Sequence, residues 1–301
     1  MSAGLTSENS AYALDALWAR RRFSRAACAY DATAVLQQEV RETLLRRLEL
    51  TALEPRLVLD VGAGTGHASR ALSRRYPDAL VLALDSSAGM LQTAGRRPWW
   101  RPWRRPFLPV GADAARLPLK DGSVDLLFSN FMLPWTDPER ALGEFRRVIA
   151  PRGFLSFTSL GPDTLRELRS AWASVDSRPR VHRFIDMHDL GDALVRAGFA
   201  EPVLDVERYT LSYASFGALA ADLRGTGEVN ATAGRPRGLT GARTFARMEA
   251  AYEAFRTGGR LPATYEVVFG QAWGPRAAPS TEGGVLVSLE EVRRQLRRRP
   301  R

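Results

Sequence analysis

The chain is poor in the residues that build disulfides and metal centres. Its 301 residues include one cysteine, Cys28, and three scattered histidines, His67, His182 and His188. A single thiol cannot form an intrachain disulfide, and no spacing typical of a metal site occurs. The sequence therefore predicts neither a disulfide-stabilised domain nor a metalloenzyme.

The chain also lacks long apolar stretches. No run approaches the roughly 20 apolar residues of a membrane-spanning helix. The first ten residues, MSAGLTSENS, show no basic region followed by an apolar one, as a secretory signal would require. We therefore expect a cytoplasmic protein without a membrane segment.

Lysine is nearly absent, because Lys120 is the only one in the chain. The net charge of +10 consequently rests on arginine. A basic surface attracts acidic partners over long distances. Nucleic acid, anionic lipid and an acidic carrier protein are all compatible with this charge.

A short apolar run followed by a glycine-rich turn lies near the start of the chain. Leu57–Val61 predicts a buried parallel strand, and glycines follow at every second position, 62, 64 and 66. A dinucleotide-binding turn would have another glycine at position 67, where this chain has His67. The turn instead resembles the first motif of class I S-adenosylmethionine-dependent methyltransferases. That resemblance implies cofactor contacts from Asp60, Gly62, Ala63, Gly64 and Gly66.

Strand and helix patterns alternate from residue 57 to 160 and predict a parallel α/β sheet. Later strands are expected at 203–213 and 263–273, with helices at 215–224 and 242–256 between them. We predict a Rossmann-like, mostly parallel sheet of seven strands, with helices on both faces and a helical insertion between strands six and seven. The expected organisation is a flexible N-terminus (1–21), one methyltransferase domain (22–275, lid-like insertion about 214–260) and a disordered basic tail (276–301).

An acidic residue ends the second strand. Asp85 follows Gly64 by 21 positions, close to the spacing at which a carboxylate binds the hydroxyls of a ribose. The alternative is an N-cap for the next helix. The same fold implies further cofactor contacts, from Ser86, Met90, Asp113, Ala114, Asn130 and Leu133.

Residues 95–109, GRRPWWRPWRRPFLP, combine tryptophan, arginine and proline. Such interleaving can bind nucleic acid or a membrane surface. The more ordinary interpretation, which we favour, is a solvated loop whose tryptophans pack on the domain.

Residues 22–50 show apolar residues at helical spacing. In methyltransferases of this kind an N-terminal helix covers the methionine end of the cofactor. Tyr30 and either Gln37 or Gln38 are thus candidates for lining the site. A plain packing helix is the alternative.

Several segments together resemble one family, the malonyl-[acyl-carrier protein] O-methyltransferases of biotin synthesis. They are RRFSRAACAYDATAVLQQEV, SNFMLPWTDPERAL, GPDTLRELRSAWASVD, VHRFIDMHDLGDALVRAGF and NATAGRPRGLTG. The resemblance implies methyl transfer from S-adenosylmethionine to the free carboxylate of malonyl-carrier protein or malonyl-CoA. The implied partner is an acidic acyl carrier protein, with no nucleic acid or membrane partner and a monomeric state.

For the substrate, the resemblance suggests Tyr30, His182 and Arg183 as orienting groups, and Trp135, Arg180 and Arg237 as binding groups. A surface or structural role remains open for each of them. Two rival functions also remain open: a methyltransferase-like protein hydroxylase acting as an assembly factor, and another methyltransferase, for example one acting on RNA. The latter is disfavoured because Ser129-Asn130-Phe131-Met132 lacks the proline pair common after strand four of amine- and base-methylating enzymes.

Overall fold

A seven-stranded sheet organises the protein, in a computed structural model that describes residues 14–96 and 106–275. The strand order is β3-β2-β1-β4-β5-β7-β6; β1 to β5 pair in parallel, and β7 is antiparallel to both its neighbours. The predicted mostly parallel sheet is confirmed. The strands are β1 (Leu57–Val61), β2 (Leu80–Asp85), β3 (Leu108–Gly111), β4 (Val124–Ser129), β5 (Ile149–Leu160), β6 (Ala200–Tyr213) and β7 (Leu261–Trp273).

Helices cover both faces of this sheet. None in the described part of the chain is both long and apolar enough to cross a membrane. The helices are α1 (Ala16–Ala26), α2 (Tyr30–Thr33), α3 (Val35–Arg47), α4 (His67–Arg75), α5 (Ala88–Ala94), α6 (Pro138–Val148), α7 (Arg166–Ala173), α8 (Met187–Ala197), α9 (Phe216–Gly225) and α10 (Ala242–Glu253).

Helical structure covers most of the region 22–50, where apolar residues recur at helical spacing: the end of α1, then α2 and α3. The backbone leaves the helical conformation at Ala34, where ψ is 49°, and this break separates α2 from α3. Helix α1 begins at Ala16, inside the stretch 1–21 that was expected to be flexible. Asp15 stabilises this start, since its carboxylate accepts a hydrogen bond from the backbone N–H of Trp18 at 2.9 Å.

The core forms two layers, one on each face of the sheet. Because strand side chains alternate, Val58 contributes to one layer and Leu59 to the other. The first layer is completed by α3, α4, α7 and α10, and the second by α6 and α8. A sheet covered on both faces leaves the carboxyl ends of β1, β2 and β4 as the place for a ligand.

The segment between β6 and β7 contains α9 and α10, as predicted. Its connecting loop returns to α1, where the Asp15 N–H donates to the Ala231 carbonyl at 2.8 Å and Leu14 forms a β-bridge with Thr232. Most of the proline-, tryptophan- and arginine-rich loop, 97–105, lies outside the described residues. So do residues 1–13 and the basic segment 276–301.

Candidate active site

The turn after β1 is built by backbone conformations that glycine favours. Gly62, Gly64 and Gly66 all have positive φ angles, of 75°, 54° and 80°. A Cβ on Gly62 would overlap Met132, and one on Gly66 would approach Phe107 to 2.9 Å. A Cβ on Gly64 would meet no described atom nearer than 4.0 Å, because this glycine borders the cavity. Gly64 thus leaves room for a ligand, whereas its neighbours allow close packing.

Asp85 links this turn to the end of β2. One carboxylate oxygen accepts the Gly64 N–H at 2.9 Å, and the other accepts the Ser87 N–H at 2.7 Å. Burial raises the pKa of Asp85, and the bonded N–H groups oppose that rise. The N-cap of α5 is Ser87 rather than Asp85. The carboxylate borders the cavity and can also accept hydroxyl hydrogens there.

The cavity has a volume of about 420 Å³, within the range of small-molecule sites. It begins beside Gly111–Ala114, passes Asp85 and reaches the turn and the end of β4. Eight of the twelve residues predicted for cofactor binding line it: Gly62, Gly64, Asp85, Ser86, Met90, Asp113, Ala114 and Asn130.

The other four predicted cofactor residues, Asp60, Ala63, Gly66 and Leu133, lie behind the cavity wall. Asp60 is buried, and its carboxylate accepts a hydrogen bond from Ser69 at 2.5 Å. Burial raises its pKa to about 7. The Ala63 N–H is bonded to Leu84, Gly66 packs against Phe107, and Leu133 belongs to the core. These residues shape the turn and its support rather than the surface of the cavity.

Asn130 is fixed at the end of β4 by both ends of its amide. Its Nδ2 donates to the Gln37 carbonyl at 3.1 Å, and its Oδ1 accepts the Thr158 hydroxyl at 2.9 Å. Thr158 in turn accepts the N–H of Phe131, a residue with an unusual φ of 54°. Strained backbone of this kind concentrates at functional sites. The network holds α3 against the end of β4 beside the cavity.

The segment around α2 closes the cavity above the glycine turn. Asp31 accepts the Thr65 hydroxyl at 2.7 Å and contacts His67 Nε2 at 3.1 Å. His67 thus connects α2 to the turn at the position where a dinucleotide-binding motif has glycine. The connection places Tyr30 on the cavity wall. Burial raises the pKa of Tyr30, so its hydroxyl stays protonated and can donate a hydrogen bond.

Glu228, a residue that sequence reasoning missed, faces the cavity from the insertion. Its Oε1 accepts Gln37 Nε2 at 2.6 Å, whereas Gln38 points outward to Glu42. Burial raises the pKa of Glu228 to about 7. Gln37 links Glu228 to Asn130, and both of these residues border the cavity. The only sequence signal for Glu228 was its place two residues before the NATAGRPRGLTG segment.

Aromatic side chains form the outer wall. Trp135, predicted as a substrate-binding group, lines the cavity and stacks edge-on against Phe23 with a centroid distance of 5.0 Å. The ring of His182 lies 5.5 Å from Trp135 but does not border the cavity. Burial lowers the pKa of His182 to about 4, so the imidazole is neutral at physiological pH. His182 supports Trp135 and supplies no positive charge.

The predicted arginines lie elsewhere. Arg180 is bound to Asp176, donates to Thr240 at 2.7 Å and stacks on Trp172. Arg183 and Arg237 are exposed and do not border the cavity. Among the described residues that line it, the one cationic side chain belongs to Arg20. Sequence reasoning missed Arg20 because the prediction began the domain at residue 22.

The chemistry of the lining fits S-adenosylmethionine. Asp85 suits a ribose diol, the open side of Gly64 admits a ligand against the backbone, and Glu228 suits a cationic end. Among the described residues, no group of three or more histidine, cysteine, aspartate or glutamate side chains could hold a metal ion. The fold and this site define a class I S-adenosylmethionine-dependent methyltransferase.

Comparisons with known proteins place the chain more narrowly. Residues 59–157 match the family model of a methyltransferase domain. The chain is 50% identical to malonyl-[acyl-carrier protein] O-methyltransferase of Methylovorus sp., over 91% of this chain and 94% of the relative. It is 49% identical to the Halorhodospira halophila protein of that name, over 95% and 98%. The chain therefore belongs to the malonyl-[acyl-carrier protein] O-methyltransferase family.

A solved structure agrees on the fold. A putative methyltransferase from Bacillus halodurans superposes with a TM-score of 0.52 and 18% identity, covering 77% of this chain and 98% of the other.

Proposed function

We propose that this protein transfers the methyl group of S-adenosylmethionine to the free carboxylate of a malonyl thioester held by an acyl carrier protein. Membership of the malonyl-[acyl-carrier protein] O-methyltransferase family is the observation that carries this proposal. The distribution of charge in and around the cavity supports it.

Different parts of the cavity wall suit two different charges. S-adenosylmethionine supplies an electrophilic methyl group on a cationic sulfur, beside an ammonium group. Asp85 would hold the ribose, and Glu228 would hold the cationic methionyl end. Arg20, on the part of the wall that α1 forms, would attract the malonyl carboxylate.

The reaction requires no general base. A carboxylic acid with a pKa of about 4 is already ionised at neutral pH. One carboxylate oxygen forms a bond to the methyl carbon while the carbon–sulfur bond breaks and its electron pair stays on sulfur. No proton moves, so the protein needs neither a Ser-His-Asp triad nor a metal for this step.

The task of the residues is alignment and exclusion of water. The Tyr30 segment covers the turn, and Trp135 with Phe23 provides an apolar wall. Asn130 holds the end of β4 in place. The protonated Tyr30 hydroxyl is available to orient a carboxylate, which an ionised phenol would repel.

A transfer assay tests the proposal. The protein is incubated with methyl-labelled S-adenosylmethionine and malonyl-carrier protein, and we expect label on the carrier that mild base releases as methanol. Acetyl-carrier protein has the same thioester without a free carboxylate and should remain unlabelled. Absence of label on the malonyl form, under conditions where the protein binds the cofactor, would overturn the proposed function.

A further inference from the structure

A second cavity adjoins the active site. It has a volume of about 460 Å³ and shares Leu17 with the first cavity, so the two meet at this residue. Its lining is strongly basic: Asp15, Leu17, Trp18, Arg21, Arg235, Pro236 and Arg237.

Two segments distant in the sequence are joined to form this cavity. Arg235 donates to Asp15 at 2.9 Å and to the Thr232 carbonyl at 3.2 Å, and its guanidinium lies 4.9 Å from the centre of the Trp18 ring. Asn230 fixes the base of the loop, because its Nδ2 donates to the Pro179 carbonyl at 2.8 Å. The loop of the insertion and the start of α1 thus form one surface.

Some charged side chains on this surface are paired with each other, and others are not. Asp15 is neutralised by Arg235. Arg21 and Arg237 are exposed, and neither forms a hydrogen bond or ion pair with another described residue. Two positive charges therefore remain available at the entrance to the active site. Two exposed apolar side chains accompany them: Leu17 lines the cavity at 56% exposure, and Leu239 follows Arg237 by two residues at 104% exposure.

We infer that this surface, which we call the basic lip (Leu17, Arg21, Arg237 and Leu239), docks the acidic carrier domain that delivers the malonyl thioester. The inference rests on the proposed function. Arg21 and Arg237 pair with carboxylates of the carrier, and the exposed leucines contact apolar side chains between them. The thioester arm enters the active site past Leu17, where the cavities meet.

Charges at the rim of an interface act mainly on the rate at which the partners associate, and their effect weakens as the salt concentration rises. The test is a double charge reversal, Arg21→Glu with Arg237→Glu, assayed on two substrates. Malonyl-carrier protein presents the whole acidic domain, whereas malonyl-pantetheine presents only the thioester and a short uncharged arm. We expect kcat/KM for malonyl-carrier protein to fall at least about tenfold and to lose its salt dependence. The value for malonyl-pantetheine should stay within about twofold, because neither arginine borders the active-site cavity.

The matched control reverses Arg56 and Arg74, which are exposed; Arg56 directly precedes β1, and Arg74 lies in the last turn of α4. It changes the net charge equally and should leave docking almost unaffected. Thermal melting and S-adenosylhomocysteine binding check that each variant is folded. If wild-type protein methylates neither substrate, the proposed function fails. If it methylates both and the lip variant uses the carrier as well as the control variant does, the docking inference alone is overturned.

Discussion

Gly64 is the residue at which the backbone meets the ligand most directly. Its φ of 54° and the open space beside it mean that a side chain would project into the cavity. Gly64→Val should weaken S-adenosylhomocysteine binding by at least about tenfold; a β-branched residue in this conformation also costs on the order of 1–2 kcal/mol of stability.

Calorimetric titration measures the affinity, and thermal unfolding measures the stability. Gly143→Ala is the matched control, because Gly143 lies in α6 with no heavy atom within 4 Å of its added Cβ. That change should leave the affinity unchanged and stabilise the helix slightly. Retained affinity in Gly64→Val would show that the ligand does not contact this turn.

The raised pKa of Glu228 predicts how ligand binding depends on pH. With a pKa raised to about 7, the free protein holds a proton on this carboxyl below that pH, and a cation favours the ionised form. Binding of S-adenosylhomocysteine, which retains the ammonium group, should therefore weaken as pH falls from 8 to 6, by up to about tenfold. Glu228→Gln should lower the affinity at pH 8 and flatten this dependence.

A ligand without the amino-acid portion separates two possible causes of a lower affinity in Glu228→Gln: a lost contact with the ammonium group and a changed cavity shape. 5′-Methylthioadenosine should bind wild type and Glu228→Gln equally, and Glu42→Gln, on an exposed carboxylate, should behave as wild type. An equal loss of affinity for both ligands would show that Glu228 acts on the shape of the cavity and not on the ammonium group of the ligand.

At the scale of elements, the short helix α2 depends on Asp31 for its position over the turn. Asp31 bonds Thr65 and contacts His67, although its side chain is 49% exposed. A hydrogen bond of this kind contributes on the order of 1 kcal/mol, so Asp31→Ala should raise the dissociation rate of S-adenosylhomocysteine about fivefold.

Stopped-flow displacement measures that rate, and hydrogen exchange at residues 30–33 should rise with it. Thr65→Val should give a similar effect, and combining the two changes should add little, because they remove one shared bond. Asp78→Ala, on an exposed loop, is the control. An unchanged dissociation rate in Asp31→Ala would mean that α2 does not retain the ligand.

Elements with a strong local pattern were predictable. Helix α8 follows from its own sequence, since Asp186 caps its start and Gly198 ends it with a φ of 89°. The break between α2 and α3 at Ala34 was not predicted, because no glycine or proline occurs in residues 22–50 to mark it.

At the scale of the whole molecule, the glycine turn and Asp85 could be placed from sequence because adjacent parallel strands end at the same edge of a sheet. Glu228 and Arg20 could not. Each reaches the cavity through long-range contacts: Glu228 through Gln37, 191 residues earlier, and α1 through Asp15 and Ala231. Nothing in the local pattern of either segment encodes such pairing. The arginine-rich composition further concealed which arginine faces the cavity.

Our central proposal is that Glu228 holds the cationic end of the cofactor and that Arg20 orients the malonyl carboxylate. The most direct measurement is the kcat/KM of Arg20→Gln with malonyl-pantetheine, beside Arg20→Lys and the same-helix control Arg25→Gln. We predict that kcat/KM falls at least about tenfold in Arg20→Gln, recovers in part in Arg20→Lys and is unchanged in Arg25→Gln. The affinity for S-adenosylhomocysteine should be unchanged in all three variants. A wild-type kcat/KM in Arg20→Gln would contradict the proposal that Arg20 orients the malonyl carboxylate.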